Sequence, residues 1–231
     1  MLAIFPAHRF NPPQIKAGVV ENVISGGVAL SGDEDVISTD GGGRWRVTYS
    51  GIAIRTVALQ RLWDQWVSHM AGGAQPILLP LVSLTTAPRP FAGNGLARPS
   101  AIYANDSQFP TEVRFASPYI VATTVGAVAP RATTITIAVA QGARIQGGER
   151  CSIGSRALKI ERVLSRPTQM SAVCKVSPPT REAIASGTSV NFEWPVVQAK
   201  AVPGQDLDPD IAYGRNGTVS ITFVEDFSDV A

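Results

Sequence analysis

Residues 142–197 limit most strongly what this chain can fold into, because turn residues separate short alternating segments at close intervals. The segment 158–161 alternates apolar and charged residues, which is the period-2 pattern of a half-buried strand. Pro178-Pro179 ends another segment, because proline has no amide donor for a strand ladder. Short strands with this punctuation predict a small antiparallel barrel or sandwich. Its strands are expected at 134–139, 151–153, 156–163, 171–177 and 190–194.

Composition also favours a β-rich protein. The chain has 231 residues, with 21 glycines and 17 prolines, so many turns are expected. Its net charge of +2 implies no strong attraction to nucleic acid or to an anionic membrane. Only 16% of the residues are charged, which suits a protein that buries much of its surface against partners. A compact soluble monomer fits the composition equally well.

The N-terminal half contains one helical pattern, at residues 56–71. Its apolar residues recur with a spacing of three and four, Thr56 can cap the first turn, and Gly72-Gly73 can end the helix. We expect this stripe, which includes Leu62, Trp63 and Trp66, to pack on a sheet as core. The competing interpretation is a partner or cofactor site.

Two further segments have the alternation of strands and are expected to pair with each other. They are 44–49 and 218–225, at opposite ends of the chain. Residues 205–214 form a polar loop that is long enough to carry the chain back across the molecule. This predicts a first domain of residues 1–130 plus 203–231, with residues 131–202 inserted as a smaller domain.

Other stretches give weaker expectations. Residues 1–13 are expected to form an extended arm, 16–24 a strand, and the acidic stretch 31–35 a solvated loop. Residues 85–100 are rich in proline and glycine and predict a long functional loop. Within that loop Phe91 is expected to anchor into a neighbour, and a further strand is expected at 113–115.

No residue set in the sequence predicts catalysis, a cofactor or a metal site. His8 and His69 have no suitably spaced carboxylates, and Cys151 and Cys174 lack the CxxC spacing of a zinc site. The cysteines are expected to be small buried apolar residues, reduced in a cytoplasm. Cation binding by the acidic residues at 33–35 or at 206, 208 and 210 is possible, but solvated loops are the expectation. No signal peptide is visible, and no apolar run reaches the ~20 residues of a membrane span.

The order of turns and strands in the C-terminal half resembles that of phage tail-tip proteins, and among them the distal tail protein. The resemblance has three parts: a strand pair containing Cys-Ser-Ile-Gly-x-Arg-x-Leu, a strand ending in Pro-Pro-x-Arg-x-Ala, and the segment Gly-Thr-x-Val-x-Phe-x-x-Pro. The matching residues are Gly148, Cys151, Ser152, Ile153, Gly154, Arg156, Leu158, Pro178, Pro179, Arg181, Ala183, Gly187, Thr188, Val190, Phe192 and Pro195.

The N-terminal half resembles the ring domain of the same proteins. A strand with Gly-x-Trp-Arg-x-x-Tyr-Ser-x-Ile leads into an Arg-Thr helix start, a helix with tryptophan, and a Gly-Gly end. The matching residues are Gly43, Trp45, Arg46, Tyr49, Ser50, Ile52, Arg55, Thr56, Trp63, Gly72 and Gly73.

The resemblance implies a mainly β fold: a β-rich ring domain with one α-helix, and a smaller antiparallel β-barrel or OB-like domain. It implies a homohexameric ring that joins the tail tube protein to the baseplate hub, with the tape-measure protein as a further partner. Such a protein does no chemistry, is made in the host cytoplasm, and resides in the virion at the tail tip.

Two alternatives from other classes stay open. One is a carbohydrate-recognising, receptor-binding tail module, in which an exposed aromatic residue such as Trp194 stacks on sugars. The other is a cell-wall hydrolase, whose catalytic carboxylates can be distant in sequence and meet only in the folded chain.

Overall fold

The computed structural model describes residues 2–21, 23–28, 30–38, 42–81, 86–88, 120–212 and 216–228. It is mainly β, with two curled half-barrel sheets and one main helix, which confirms the predicted fold class. The helices span Ala7–Phe10 (α1) and Val57–Met70 (α2). The strands span Gln14–Val20 (β1), Val23–Val28 (β2), Glu34–Ser38 (β3), Arg44–Ile54 (β4), Ile77–Pro80 (β5), Val121–Thr124 (β6), Thr134–Gln141 (β7), Arg150–Ile153 (β8), Arg156–Thr168 (β9), Ser171–Ser177 (β10), Val196–Ala201 (β11), Asp210–Ala212 (β12) and Asn216–Glu225 (β13).

The first sheet has the strand order β1-β4-β13-β11-β5, and β12 also pairs with β13. β13 is antiparallel to β4, with Tyr49 opposite Ile221 and Val47 opposite Phe223. The predicted pairing of the two alternating segments at opposite ends of the chain is therefore confirmed. The last strand lies inside this sheet, between β4 on one side and β11 and β12 on the other.

Helix α2 begins where the sequence predicts, because the Thr56 hydroxyl accepts the Leu59 amide at 3.2 Å. Trp63 is fully buried and donates its indole N–H to the Leu207 carbonyl at 2.8 Å. Leu62 and Trp66 are only half-buried, so the expectation of burial holds fully for Trp63 alone. The stripe packs on the first sheet as core.

Residues 2–13 do not form the extended arm that was expected for 1–13. Phe5 precedes the short helix α1 and Phe10 is its last residue, and both are buried in the core of the first sheet. Phe5 stacks on Tyr49 with ring centres 5.5 Å apart, and Phe10 meets Trp63 edge to face at 5.3 Å. These two rings gain so much from burial that the segment folds back onto the sheet.

The second sheet has the order β6-β7-β10-β9-β8 and its own apolar core. Four of its five strands match predicted segments, but the predicted strand at 190–194 is wrong. Val190 and Phe192 are buried as expected, whereas the Asn191 side chain accepts the amides of Glu193 and Trp194. The Asn191 backbone forms a single bridge with Ser152 of β8, and the local turn ends the pairing after it, as asparagine side chains often do.

The domain boundaries were expected after residues 130 and 202, but the chain passes from one sheet to the other at different residues. β6 was expected with the first domain but pairs with β7 in the second sheet. β11 was expected in the inserted unit but pairs with β5 and β13 in the first sheet. The described chain thus enters the second sheet with β6 and leaves it after β10.

Strands β2 and β3, which follow β1 and precede β4 in the sequence, form a separate two-stranded sheet. The acidic stretch expected as a loop is partly strand, since β3 begins at Glu34. Phe91 and the expected strand at 113–115 lie outside the described residues.

Candidate functional site

The two sheets meet at a seam, and Trp45 of β4 is one of the residues that cross it. Trp45 is fully buried and donates its indole N–H to the Ala157 carbonyl of β9 at 2.8 Å. Its backbone N–H donates to Glu225 Oε2 at 2.9 Å. The Arg150 guanidinium of β8 lies 5.9 Å from the indole centre and donates to the Ala17 carbonyl of β1 at 2.8 Å. One tryptophan thereby joins strands of both sheets.

A cluster of charged side chains continues the seam. Arg181 donates to the Gly43 carbonyl at 2.6 Å, and its Nε lies 3.9 Å from Glu225 Oε1. Arg156 donates to the Asp226 carbonyl at 2.5 Å. The Arg181 guanidinium also lies over the Phe227 ring at 4.3 Å. The residues after β13 are therefore held against the second sheet by two arginines.

Burial sets the electrostatics of this cluster. It raises the pKa of Glu225, although the Trp45 amide and the two arginines act in the opposite direction. Burial lowers the pKa of Arg181, and the nearby Glu225 carboxylate partly offsets that shift. For the Glu225 carboxyl, the cost of losing water therefore exceeds the stabilisation of its charge by the Trp45 amide and the two arginines. This balance is expected for a structural contact between packed layers.

Two glycines permit close approaches beside the seam: Gly43 lets the chain before β4 pass close to the end of β1 in the same sheet, and Gly42 lets it approach Pro179. Gly43 has φ of +67°, and a Cβ on it would lie 2.5 Å from the Val20 carbonyl oxygen. Gly42 has φ of +62°, and a Cβ on it would overlap the ring of Pro179. A larger residue at either position would be strained both by its backbone conformation and by its neighbours.

An open groove of about 700 Å³ lies beside the seam. The end of β1 contributes Val19 and Glu21, and the outer face of the second sheet contributes Lys159, Glu161 and Lys175. Lys175 forms an ion pair with Glu161 at 2.9 Å. The walls come from two different sheets, so the seam sets the width of the groove.

Trp194 was the candidate for sugar stacking, and it lies in the turn built by Asn191. Its side chain is 40% exposed. Asn191 accepts its amide at 3.0 Å and donates to its carbonyl at 2.9 Å. The loop therefore presents part of an indole ring to solvent from a backbone that is fixed on both sides.

The other residues singled out from the sequence lie apart from one another. Cys151 and Cys174 are buried and not disulfide-bonded, as expected, and burial raises the pKa of the Cys174 thiol to about 11. His69 packs edge to face on Trp66, and His8 is exposed on α1. Asp206 accepts the Asp208 amide at 3.1 Å, which is a local turn. Among the described residues, no three His, Cys, Asp or Glu side chains come together as metal ligands would.

Sequence reasoning found some of the seam and missed the rest. Gly43, Trp45, Arg156 and Arg181 carry the family resemblance, and all four lie in the seam. The sequence predicts Glu225 only as the end of a strand, because no local pattern distinguishes it from an exposed glutamate. The groove arises from residues far apart in sequence, so only the pairing of strands could have indicated it.

None of the helices in the described part of the chain is both long and apolar enough to cross a membrane. Comparison with models of known protein families gave no match. Comparison with curated proteins gave no significant match either.

Proposed function

We propose that this protein is a structural component of a bacteriophage tail tip. In this proposal it is a distal tail protein, and its copies form a ring, expected to be a hexamer, between the tail tube and the baseplate hub. Its role is to hold neighbours in place, without turnover of a substrate. Its partners are further copies of itself, the tail tube protein, the hub and the tape-measure protein.

The observation that carries the proposal is the meeting of the two resemblance motifs in the seam. Gly43 and Trp45 belong to the N-terminal motif, and Arg156 and Arg181 to the C-terminal motif. Arg181 donates to Gly43, while Trp45 donates to the residue after Arg156. Residues more than a hundred positions apart thus serve a single joint, which fixes one sheet against the other. A ring subunit needs such rigidity because its contacts repeat around an axis.

Exposed apolar surface supports the same proposal. Seven of the thirteen large apolar side chains that are exposed in the described residues lie between Val20 and Ile37. Clustered apolar exposure on one projecting element is typical of a protein that assembles with others.

Electron microscopy tests the proposal directly. The purified protein, or phage particles containing it, should show rings with a central hole, located at the tail tip in the particles. Labelling the chain in intact particles checks the location. A chain that is monomeric when purified and also absent from any ring in assembled particles contradicts the proposal.

A second candidate function, carbohydrate recognition, is favoured by the fixed and partly exposed Trp194. A glycan array with the wild type and with Trp194→Ala tests it. Sugar binding that is lost in the variant, with melting unchanged, would favour this function. Equal signals from both proteins would remove it.

A further inference from the structure

The hairpin formed by β2 and β3, residues 23–38, is here named the arm. Every side chain described between positions 23 and 37 is exposed. The large apolar side chains on the arm and at its root are Val20, Val23, Ile24, Val28, Leu30, Val36 and Ile37.

Both faces of the arm carry apolar groups. Ile24 lies opposite Ile37, and the next pair, on the other face, includes Val36 opposite Ser25. An isolated two-stranded hairpin is marginally stable in water, and this one has no uniformly polar face. The arm therefore gains stability from a partner that covers it.

The root of the arm is held in place. β1 and β4 form a continuous ladder that ends at the pair Val20 and Arg44, and the arm connects those two strands. A strand of six residues rises roughly 20 Å at ~3.3 Å per residue. The arm thus extends well beyond the end of the β1–β4 ladder. Its outer strand edges are open to pairing with another chain, which monomeric proteins usually avoid.

The arm is also acidic. No lysine or arginine lies between Lys16 and Arg44, whereas Asp33, Glu34 and Asp35 lie close together at and after the turn of the arm. A suitable partner surface is therefore apolar and basic.

The same chain carries a surface of that kind on β9, here named the basic strip: Lys159, Arg162, Leu164 and Arg166. All four are exposed, and Leu164 is 47% exposed. Lys175 of β10 lies opposite Arg162 but is ion-paired with Glu161 at 2.9 Å, so those two charges offset each other. Arg166 also donates to the Ile145 carbonyl, so Lys159 and Arg162 are the cations on which the docking rests. The arm of the same molecule does not cover the strip, since both are exposed.

We propose that the arm docks on the basic strip of a second copy of this chain. The contact pairs two different surfaces, so each copy offers an arm to one neighbour and a strip to another. Such contacts form a ring when the rotation from one copy to the next closes, and an open filament when it does not. This inference rests on the proposed ring function and identifies the surfaces that build the ring.

Charge exchange tests the contact. Glu34→Lys with Asp35→Lys gives the arm variant, and Lys159→Glu with Arg162→Glu gives the strip variant. Either one alone should raise the concentration needed for assembly by about tenfold or more, because like charges then face each other. An equimolar mixture of the two should assemble again, since the exchanged charges are complementary. Light scattering and native mass spectrometry measure the assemblies.

A matched control reverses the same number of acidic charges elsewhere. Asp64→Lys with Asp208→Lys alters exposed residues of α2 and of the loop after β11, and should leave assembly unchanged. Melting curves of all variants should stay within about 0.5 kcal/mol of the wild type, because every altered side chain is exposed. Glu34→Lys also removes the hydrogen bond that Ser25 donates across the arm, and the arm lies outside both apolar cores.

Each outcome decides something. Assembly that persists in the arm and strip variants, that fails in the control, or that does not return on mixing overturns the contact. A wild type that stays monomeric at high concentration also overturns it, while imaging of particles still decides the proposed function. Closed dimers that obey the charge exchange would keep the contact and contradict the ring.

Discussion

Trp45 offers the sharpest test of the seam, through the substitution Trp45→Phe. Phenylalanine keeps an aromatic ring in the site but removes the indole N–H that donates to Ala157. Ala157 is 1% exposed, so its carbonyl would lose a donor in a place that water does not reach easily.

The expected cost has two parts. Leaving a buried carbonyl without its donor costs ~1–3 kcal/mol. The phenyl ring is smaller than indole by roughly 40 Å³, which adds about 1 kcal/mol at ~24 cal/mol per Å³ of cavity. The free energy of unfolding should fall by ~2–4 kcal/mol, and a protein of this size would then melt roughly 4–16 °C lower.

Urea unfolding followed by circular dichroism measures this change. Trp194→Phe is the control, because that side chain is 40% exposed and its substitution should stay within about 0.5 kcal/mol of the wild type. If Trp45→Phe is as stable as the control, the indole contact does not hold the two sheets together, and our reasoning on the seam is wrong.

Three further predictions concern the first sheet. Trp63→Ala should cost ~3–5 kcal/mol, and Trp66→Ala clearly less, because only Trp63 is fully buried; equal losses in thermal melting would contradict this. The folded pKa of Glu225 is raised, so its contribution to stability is complete below the ~4.3 of an unfolded glutamate and is lost as pH rises through the folded value. Glu225→Gln should therefore lose less stability than the wild type as pH rises, and parallel urea titrations at several pH values check this. A fragment of residues 1–202 lacks β13 and should be unfolded by circular dichroism, whereas a fragment as stable as the full chain would refute that expectation.

Strand periodicity was the most reliable guide in the sequence. The segments of β4, β7, β10 and β13 were recognisable because one face of each is buried and the other is not. The long-range pairing of β4 with β13 could also be predicted, because each needed a cover for an apolar face.

Local patterns gave wrong predictions in two places. In one, a side chain takes the backbone hydrogen bonds of a strand, and in the other, large apolar side chains become buried. The segment 190–194 alternates like a strand, yet Asn191 bonds to two following amides and ends the ladder. The first thirteen residues have no periodicity, yet Phe5 and Phe10 draw them into the core. In both places a contact with particular atoms outweighed the average preference of the segment.

The candidate site was less predictable than the fold, because it consists of relations between sheets. The acidic stretch at 31–35, expected as a loop, is partly strand, because β3 pairs with β2 in the hairpin. In the sequence, the strip on β9 looks like an ordinary half-buried strand. Its residues beyond Ile160 are exposed because β8 pairs only with residues 156–159, and the sequence does not show where that pairing ends.

The hydrogen bond between Trp45 and Ala157 links the strands that carry the arm to the strand that carries the basic strip. The arm grows from the β1–β4 ladder, which ends at Arg44 next to Trp45, while the strip belongs to β9, whose Ala157 accepts the Trp45 indole. In the proposed ring, this hydrogen-bonded joint would help to set the angle between the arm that a copy offers and the basic strip that receives its neighbour's arm. A ring of repeated contacts closes only when that angle is the same in every copy. The proposed ring would give a role to the two arginines and the buried carboxylate around this tryptophan, because a buried charge cluster by itself adds little net stability.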